Sequence, residues 1–92
     1  MNVFHLTVST PDGNAFCGEC LKLDVRGAQG DLAVMAGHSP FVTTVLPSKC
    51  VIWLEDGTEK KASLSGGVLC VAKERTTLVA GSFAFDEEDE EG

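Results

Sequence analysis

Apolar and polar side chains alternate along nearly the whole chain. Phe4, Leu6 and Val8 alternate with His5, Thr7 and Ser9, a two-residue period that predicts a half-buried strand. Thr10-Pro11-Asp12-Gly13 predicts a turn, because proline presets φ and glycine takes a positive φ without steric cost. A longer strand is expected over Phe16–Val25, bent at Gly18, with Leu21-Lys-Leu-Asp-Val25 strictly alternating. The apolar run Leu32–Met35 and the segment Phe41–Leu46 predict two further strands, the second ended by Pro47-Ser48-Lys49. Cys50–Glu55 carries the single tryptophan, Trp53, and Asp56-Gly57 is a strong hairpin signal that returns the chain over Thr58–Ser65. Lys60 and Lys61 place part of that return against solvent. Gly66-Gly67 predicts a break or bulge before Val68–Ala72, and Thr76–Ala80 is the last expected strand.

No segment sustains the 3.6-residue apolar period of a helix, and short strands separated by turns at this density predict an all-β sandwich or flattened barrel. With 92 residues the chain makes one domain of modest core. Its longest apolar run, Leu32–Ala36, is far too short to span a bilayer. Met1-Asn2-Val3-Phe4-His5 lacks the basic start and apolar stretch of a secretory leader, so a soluble, cytoplasmic protein without membrane insertion is expected.

The formal charge of −7 is unevenly placed. Six consecutive acids, Asp86 to Glu91, close the chain, whereas residues 1–85 hold seven basic and eight acidic side chains. The expected organisation is a domain over 1–85 and an acidic, disordered tail over 86–92, since like charges in a block repel one another. A body so close to neutral lacks the basic face that nucleic acid requires.

Cys17, Cys20, Cys50 and Cys70 include one C-x-x-C pair, Cys17-Gly-Glu-Cys20. That spacing serves zinc or redox chemistry when a turn or helix start gathers both sulfurs. If the strand reaches back to Cys17, residues three apart point to opposite faces and cannot chelate one ion. No second C-x-x-C completes a four-sulfur site, and unmodified thiols are expected, with no metal and no cofactor. No paired carboxylates or nucleophile–base signature mark an enzyme. Gly66-Gly67 is not followed by a helix start or by Lys-Ser/Thr, so it reads as a bulge and not a phosphate cradle.

The segment Gly27–Phe41, with Gly27, Gly30 and Gly37 around a short strand and a Gly-His-Ser-Pro corner, reads as a shaped edge suited to a partner. Read together, the motifs resemble the N-terminal β-sandwich domain of the epsilon subunit of bacterial F-type ATP synthase. The likeness runs through Phe4-His5-Leu6, Thr10-Pro11-Asp12-Gly13 and Phe16-Cys17-Gly18-Glu19. It continues in Gly27-Ala28-Gln29-Gly30-Asp31-Leu32, Ala36-Gly37-His38-Ser39-Pro40-Phe41, Ser65-Gly66-Gly67-Val68-Leu69 and Thr77-Leu78-Val79-Ala80. Arg26, Ala33 and Ala36 stand where the family has Pro, Gly and Pro, and Cys70 where an acid is common.

The resemblance implies a sandwich of about ten short strands in two sheets. It also implies a non-catalytic rotor subunit of the central stalk, held between the gamma subunit and the membrane ring of c subunits. Thr10, His38, Ser39, Pro40, Phe41 and Thr43 would lie toward gamma, and Gly27, Ala28, Gln29, Gly30 and Asp31 toward the c ring. The location implied is cytoplasmic, peripheral on the inner face of the cell membrane. Family members continue into an inhibitory helical hairpin, whereas this sequence passes from Phe85 into acids and glycine, so a short form is expected. Residue by residue, His38 can equally be a corner residue bonded to backbone, Pro40-Phe41 packing alone, and Asp31 a solvated turn acid. A free-standing β-sandwich interaction module and a small protein using Cys17 and Cys20 for metal or redox chemistry are the alternatives.

Overall fold

A computed structural model describes residues 2–86, which form nine strands and no helix. These are β1 (Phe4–Thr10), β2 (Gly13–Gly27), β3 (Gly30–Met35), β4 (Phe41–Val45), β5 (Ser48–Leu54), β6 (Glu59–Leu64), β7 (Gly67–Val71), β8 (Thr76–Ala80) and β9 (Phe83–Phe85). The expected all-β sandwich of about ten short strands is present, with nine strands among the described residues. Hydrogen bonding is continuous through all nine strands, in the order β1-β8-β7-β4-β2-β5-β6-β9, with β3 on β2 and β1 also on β2.

The continuity comes from β2. It runs 15 residues, long enough to pair first with β1 and then with β3 and β5, before touching β4 through Gly27 and Val45. Two layers therefore share this strand, one of β1, β8, β7 and β4, the other of β3, β5, β6 and β9. Their inner faces meet in a single cluster that includes Leu6, Val8, Leu23, Ile52, Leu69 and Leu78, each fully buried. The expected bend at Gly18 is displaced. Gly18 pairs in register with Leu6, and the irregularity falls between Cys20 and Lys22 on the β5 side. Cys20 and Leu23, an odd number of residues apart, are both buried as a result.

The turns form as their sequences require. Thr10 Oγ1 donates to Gly13 O (2.9 Å) and accepts from Asp12 N (3.2 Å), with Gly13 at φ 121°. At the Asp56-Gly57 hairpin the Gly57 amide donates to Leu54 O (2.8 Å), and Gly57 takes φ 91° as the bulge residue after the turn. β9 escapes the periodicity of the sequence because three residues are too few to display one. It pairs with β6, and Phe85 packs edge-on against Phe83 (5.2 Å between centroids) and Phe16 (6.4 Å). Asp86, first of the acidic run, donates its amide to Lys61 O (2.8 Å) and accepts from Lys49 Nζ (2.9 Å). The remainder of the expected tail, residues 87–92, lies outside the described residues.

Candidate interaction surface

β1 and β8 run parallel, while β8–β7 and β7–β4 are antiparallel, so β1 and β4 point the same way. Thr10 ends β1, whereas His38, Ser39, Pro40 and Phe41 precede or open β4. The residues that the resemblance places toward gamma are thus divided between opposite ends of this layer. The four at the β4 end form one corner. His38 Nδ1 donates to Ser39 O (3.0 Å), its ring lies 5.0 Å from that of Phe41, and its amide donates to Met35 O (3.2 Å) across Gly37 at φ 84°. His38, Ser39 and Pro40 are exposed and Phe41 packs against the core, so the backbone-bonded corner is realised while the outer faces of the loop remain open. Thr43 pairs with buried Leu69, which turns it to the inner side of β4, half-buried.

The Gly27–Asp31 segment forms a tight hairpin between β2 and β3, with Gly27 opposite Gly30. A Cβ at Gly27 would stand 2.8 Å from Leu32 Cδ2 and 3.3 Å from Gly30 O, so a larger residue there requires the Leu32 side chain to turn aside. Ala28 donates its amide to Thr44 O (3.0 Å), which pins the hairpin to β4. Ala28, Gln29, Gly30 and Asp31 are all exposed. Asp31 accepts from Arg26 Nε at 3.1 Å, and with 58% and 75% of the two side chains exposed the pair is weak and open to a competing partner.

Between these regions lies a feature that the sequence reading missed. On β4, β7 and β8 the positions facing away from the core are Val42, Thr44, Val68, Cys70, Thr77 and Val79, and the apolar ones pair as Val42–Cys70 and Val68–Val79. Val42 is 66% exposed, Val79 52% and Val68 45%. An antiparallel layer with one solvated face ordinarily carries polar residues there. The signal was available in Val68-Leu-Cys-Val71 and Leu78-Val-Ala80, which are apolar at successive positions instead of alternating. Three exposed valines on neighbouring strands give this face an apolar character that a solvated strand face ordinarily lacks.

The cysteines separate as the strand geometry demands. Cys17 and Cys70 are exposed, Cys20 and Cys50 buried. Cys17 faces outward and Cys20 inward from the same strand, so they cannot share an ion, and among the described residues no group of three or more His, Cys, Asp or Glu is placed to hold a metal. Burial pushes the Cys20 thiol up to about 11, with the charge of Glu19 adding to it, and pushes Cys50 up to about 11, with Asp86 adding. Among the described residues no helix is long and apolar enough to cross a membrane.

Comparison with known proteins agrees with this architecture. Residues 3–85 match the family model for the beta-sandwich domain of the ATP synthase delta/epsilon chain. An ATP synthase epsilon chain of Bradyrhizobium sp. (strain ORS 278) is 36% identical over 80 residues, and that of Nitrobacter winogradskyi 34%. Each alignment takes in 87% of this chain but 58% of the relative, so the chain spans little more than half the length of these relatives. Among solved structures, one chain of the Euglena gracilis mitochondrial ATP synthase OSCP/F1/c-ring assembly superposes with a TM-score of 0.86 at 20% identity, over 92% of this chain and 54% of that one. A chain of the Tetrahymena thermophila mitochondrial ATP synthase central stalk/c-ring gives 0.72 at 10% identity, over 87% and 64%. At those identities the likeness is one of fold.

Proposed function

The chain belongs to the ATP synthase delta/epsilon β-sandwich family, and from that premise we propose that it is a non-catalytic rotor subunit of the central stalk. In this reading it docks on the gamma subunit and on the c ring, and couples ion flow through the ring to ATP synthesis in the head. It would sit on the cytoplasmic side, peripheral to the inner face of the cell membrane. The names of the relatives and of the solved assemblies support the complex as a whole. The separate contacts with gamma and the ring are the finer part of the proposal.

The observation that carries it is the uncovered apolar stripe of Val42, Val68 and Val79. A torque-bearing joint needs a dry, well-packed contact, and apolar area removed from water contributes about 25 cal/mol per Å². We place gamma over this stripe and the adjoining His38–Phe41 corner, with Thr43 behind it on the inner side of β4 and Thr10 at the far end of the layer. The ring contact would use Ala28, Gln29, Gly30 and Asp31, where a basic loop could take Asp31 from Arg26. The chain contributes positioning and stiffness to the machine, and the reacting groups reside in other subunits.

Calorimetry with gamma from the same organism tests the first contact. Tight binding is expected from the wild type, with a loss of at least about tenfold in a folded Val42→Asp/Val79→Asp protein and in a folded His38→Ala/Phe41→Ala protein. Absence of binding by well-folded wild type would sink the stalk reading.

A further inference from the structure

Across the outer face of β4, β7, β8, β1 and β2 one row of paired residues reads Val42, Cys70, Thr77, Thr7 and Cys17. At its β2 end Cys17 does not stand alone. His5, on β1, directs Nε2 at Cys17 Sγ (3.5 Å) and Nδ1 at Glu19 Oε2 (3.1 Å), while Thr7 Oγ1 lies 3.9 Å from the same sulfur. An ionised carboxylate can only accept, so Nδ1 carries the hydrogen and the lone pair of Nε2 faces the thiol. Nucleophile, base and orienting acid are thus aligned in sequence on an exposed strand face.

We propose that Cys17 is an activated thiol, a site of reversible S-thiolation by small-molecule disulfides, with His5 as its base and Glu19 as the positioning residue. His5 Nε2 takes the thiol proton while Cys17 Sγ attacks one sulfur of the disulfide. The new Sγ–S bond forms as the old S–S bond breaks, and the departing thiolate takes the proton from His5. One disulfide is consumed and one is made, so no further oxidant enters. An internal bridge cannot compete. Cys20 and Cys50 are buried, and Cys70 lies three strands away, about 14 Å at the spacing of a sheet, beyond disulfide reach. The chemistry is independent of the docking reading. Only its consequence, an adduct on the face assigned to gamma, rests on that reading.

The protein contains its own controls. Cys70 is exposed on the same face, and among the described residues its side chain has no hydrogen bond, so it reports the reactivity of an ordinary surface thiol. Buried Cys20 and Cys50 react only if the fold opens. The experiment incubates the reduced chain with glutathione disulfide near neutral pH and follows each cysteine by tandem mass spectrometry. Cys17 should react at least about tenfold faster than Cys70, and His5→Gln should bring it within about twofold of Cys70 while leaving the Cys70 rate unchanged. Equal rates in the wild type would overturn the proposal. So would a persisting Cys17 advantage in His5→Gln with Cys20 and Cys50 still unlabelled.

Should His5→Gln open the fold, Glu19→Gln decides. The groups that bias the His5–Cys17 pair are Glu19 on β2 and, around the hollow that His5 and Glu19 line, His38, Lys73, Glu74 and Arg75. Without its carboxylate acceptor, the Nδ1 hydrogen no longer holds the ring with Nε2 toward the thiol. The Cys17 rate in Glu19→Gln should therefore fall toward the Cys70 rate, with the Cys70 rate unchanged, and Glu19→Asp should restore part of it. An unchanged Cys17 rate in Glu19→Gln would reduce Glu19 to a packing contact and overturn its assigned part.

Discussion

Raising the pH should unfold this protein in a window set by two core thiols. Cys20 is 0% exposed and Cys50 2% exposed. In the folded chain burial pushes both from 9.0 to about 11, Glu19 adding to the first and Asp86 to the second, with a backbone hydrogen bond from Lys22 pulling slightly the other way on Cys20. Below pH 9 both thiols are protonated in either state, and their contribution is fully present. Above it the unfolded chain releases protons that the folded chain holds, so stability falls with pH until the folded thiols ionise near 11. Each displacement is worth about 2–3 kcal/mol, and the two together about 5 kcal/mol.

A small domain has about 5–15 kcal/mol in all, so this loss removes much or all of its stability. The chain has no tyrosine, and its lysines and its other two thiols, Cys17 and Cys70, lie on the surface or half-buried. Urea midpoints taken under reducing conditions from pH 7 to 10.5 should be level to about pH 8.5 and then fall steeply. In Cys20→Ala/Cys50→Ala the neutral-pH midpoint should drop, at about 1 kcal/mol for each small cavity, while the alkaline fall largely disappears. A wild-type midpoint that stays level to pH 10.5, or a double variant that falls as steeply as wild type, would refute the reasoning.

Gly67→Ala should cost about 3 kcal/mol or more, because a Cβ there would run into the Val79 carbonyl oxygen and stand 2.9 Å from Ala80 Cα, in backbone that the β7–β8 ladder holds; denaturant unfolding measures it. Trp53→Phe removes the Nε1 hydrogen bond to Asp24 Oδ2 (3.0 Å) and should cost about 1 kcal/mol in the same assay, since the site is only part-buried. Asp31→Lys should change folding stability by no more than about 0.5 kcal/mol, because its pair with Arg26 is exposed. The same substitution should weaken attachment to isolated c ring by at least about tenfold, read by co-sedimentation. Unaltered ring binding would remove Asp31 from the proposed contact.

Strand positions were legible wherever one face is buried. Leu6 and Val8, Leu23 and Val25, and Leu69 with Val71 show the two-residue period because each packs inward from a solvated strand. The turns were legible because Pro11-Asp12-Gly13 and Asp56-Gly57 use residues whose backbone preferences act locally. Long-range pairing was not. Nothing in Phe4–Thr10 or Thr76–Ala80 announces that these segments lie side by side and parallel, since that neighbourhood follows from closing the core. The Gly27–Asp31 loop was identifiable through its glycines, whereas the apolar stripe needed the facing of three strands at once. The gamma-side residues came from a family pattern, and a pattern in sequence order does not tell that Thr10 and His38 stand at opposite strand ends.

Register explains why the Cys17 cluster was hidden while its residues were in plain view. From the tight pairing Thr10–Gly13 and Ser9–Asn14, an uninterrupted ladder would set Leu6 against Cys17 and His5 against Gly18. Cys17 would then face the core beside a wholly buried leucine. Instead the register shifts between Val8 and Ser9, where Ala15 is the extra residue on β2. That one residue moves Cys17 opposite Thr7 and Glu19 opposite His5, and turns thiol and carboxylate to the solvent face together. Deleting Ala15 should leave that pairing in place, because Ser9–Asn14 would then be followed directly by Val8–Phe16 and Thr7–Cys17. Cys17 should stay exposed beside His5 and keep its advantage over Cys70 in the glutathione disulfide assay; a lost advantage in the folded deletion variant would refute this account of the register. The bulge is the means by which β2 carries one extra residue without turning Cys17 to the core.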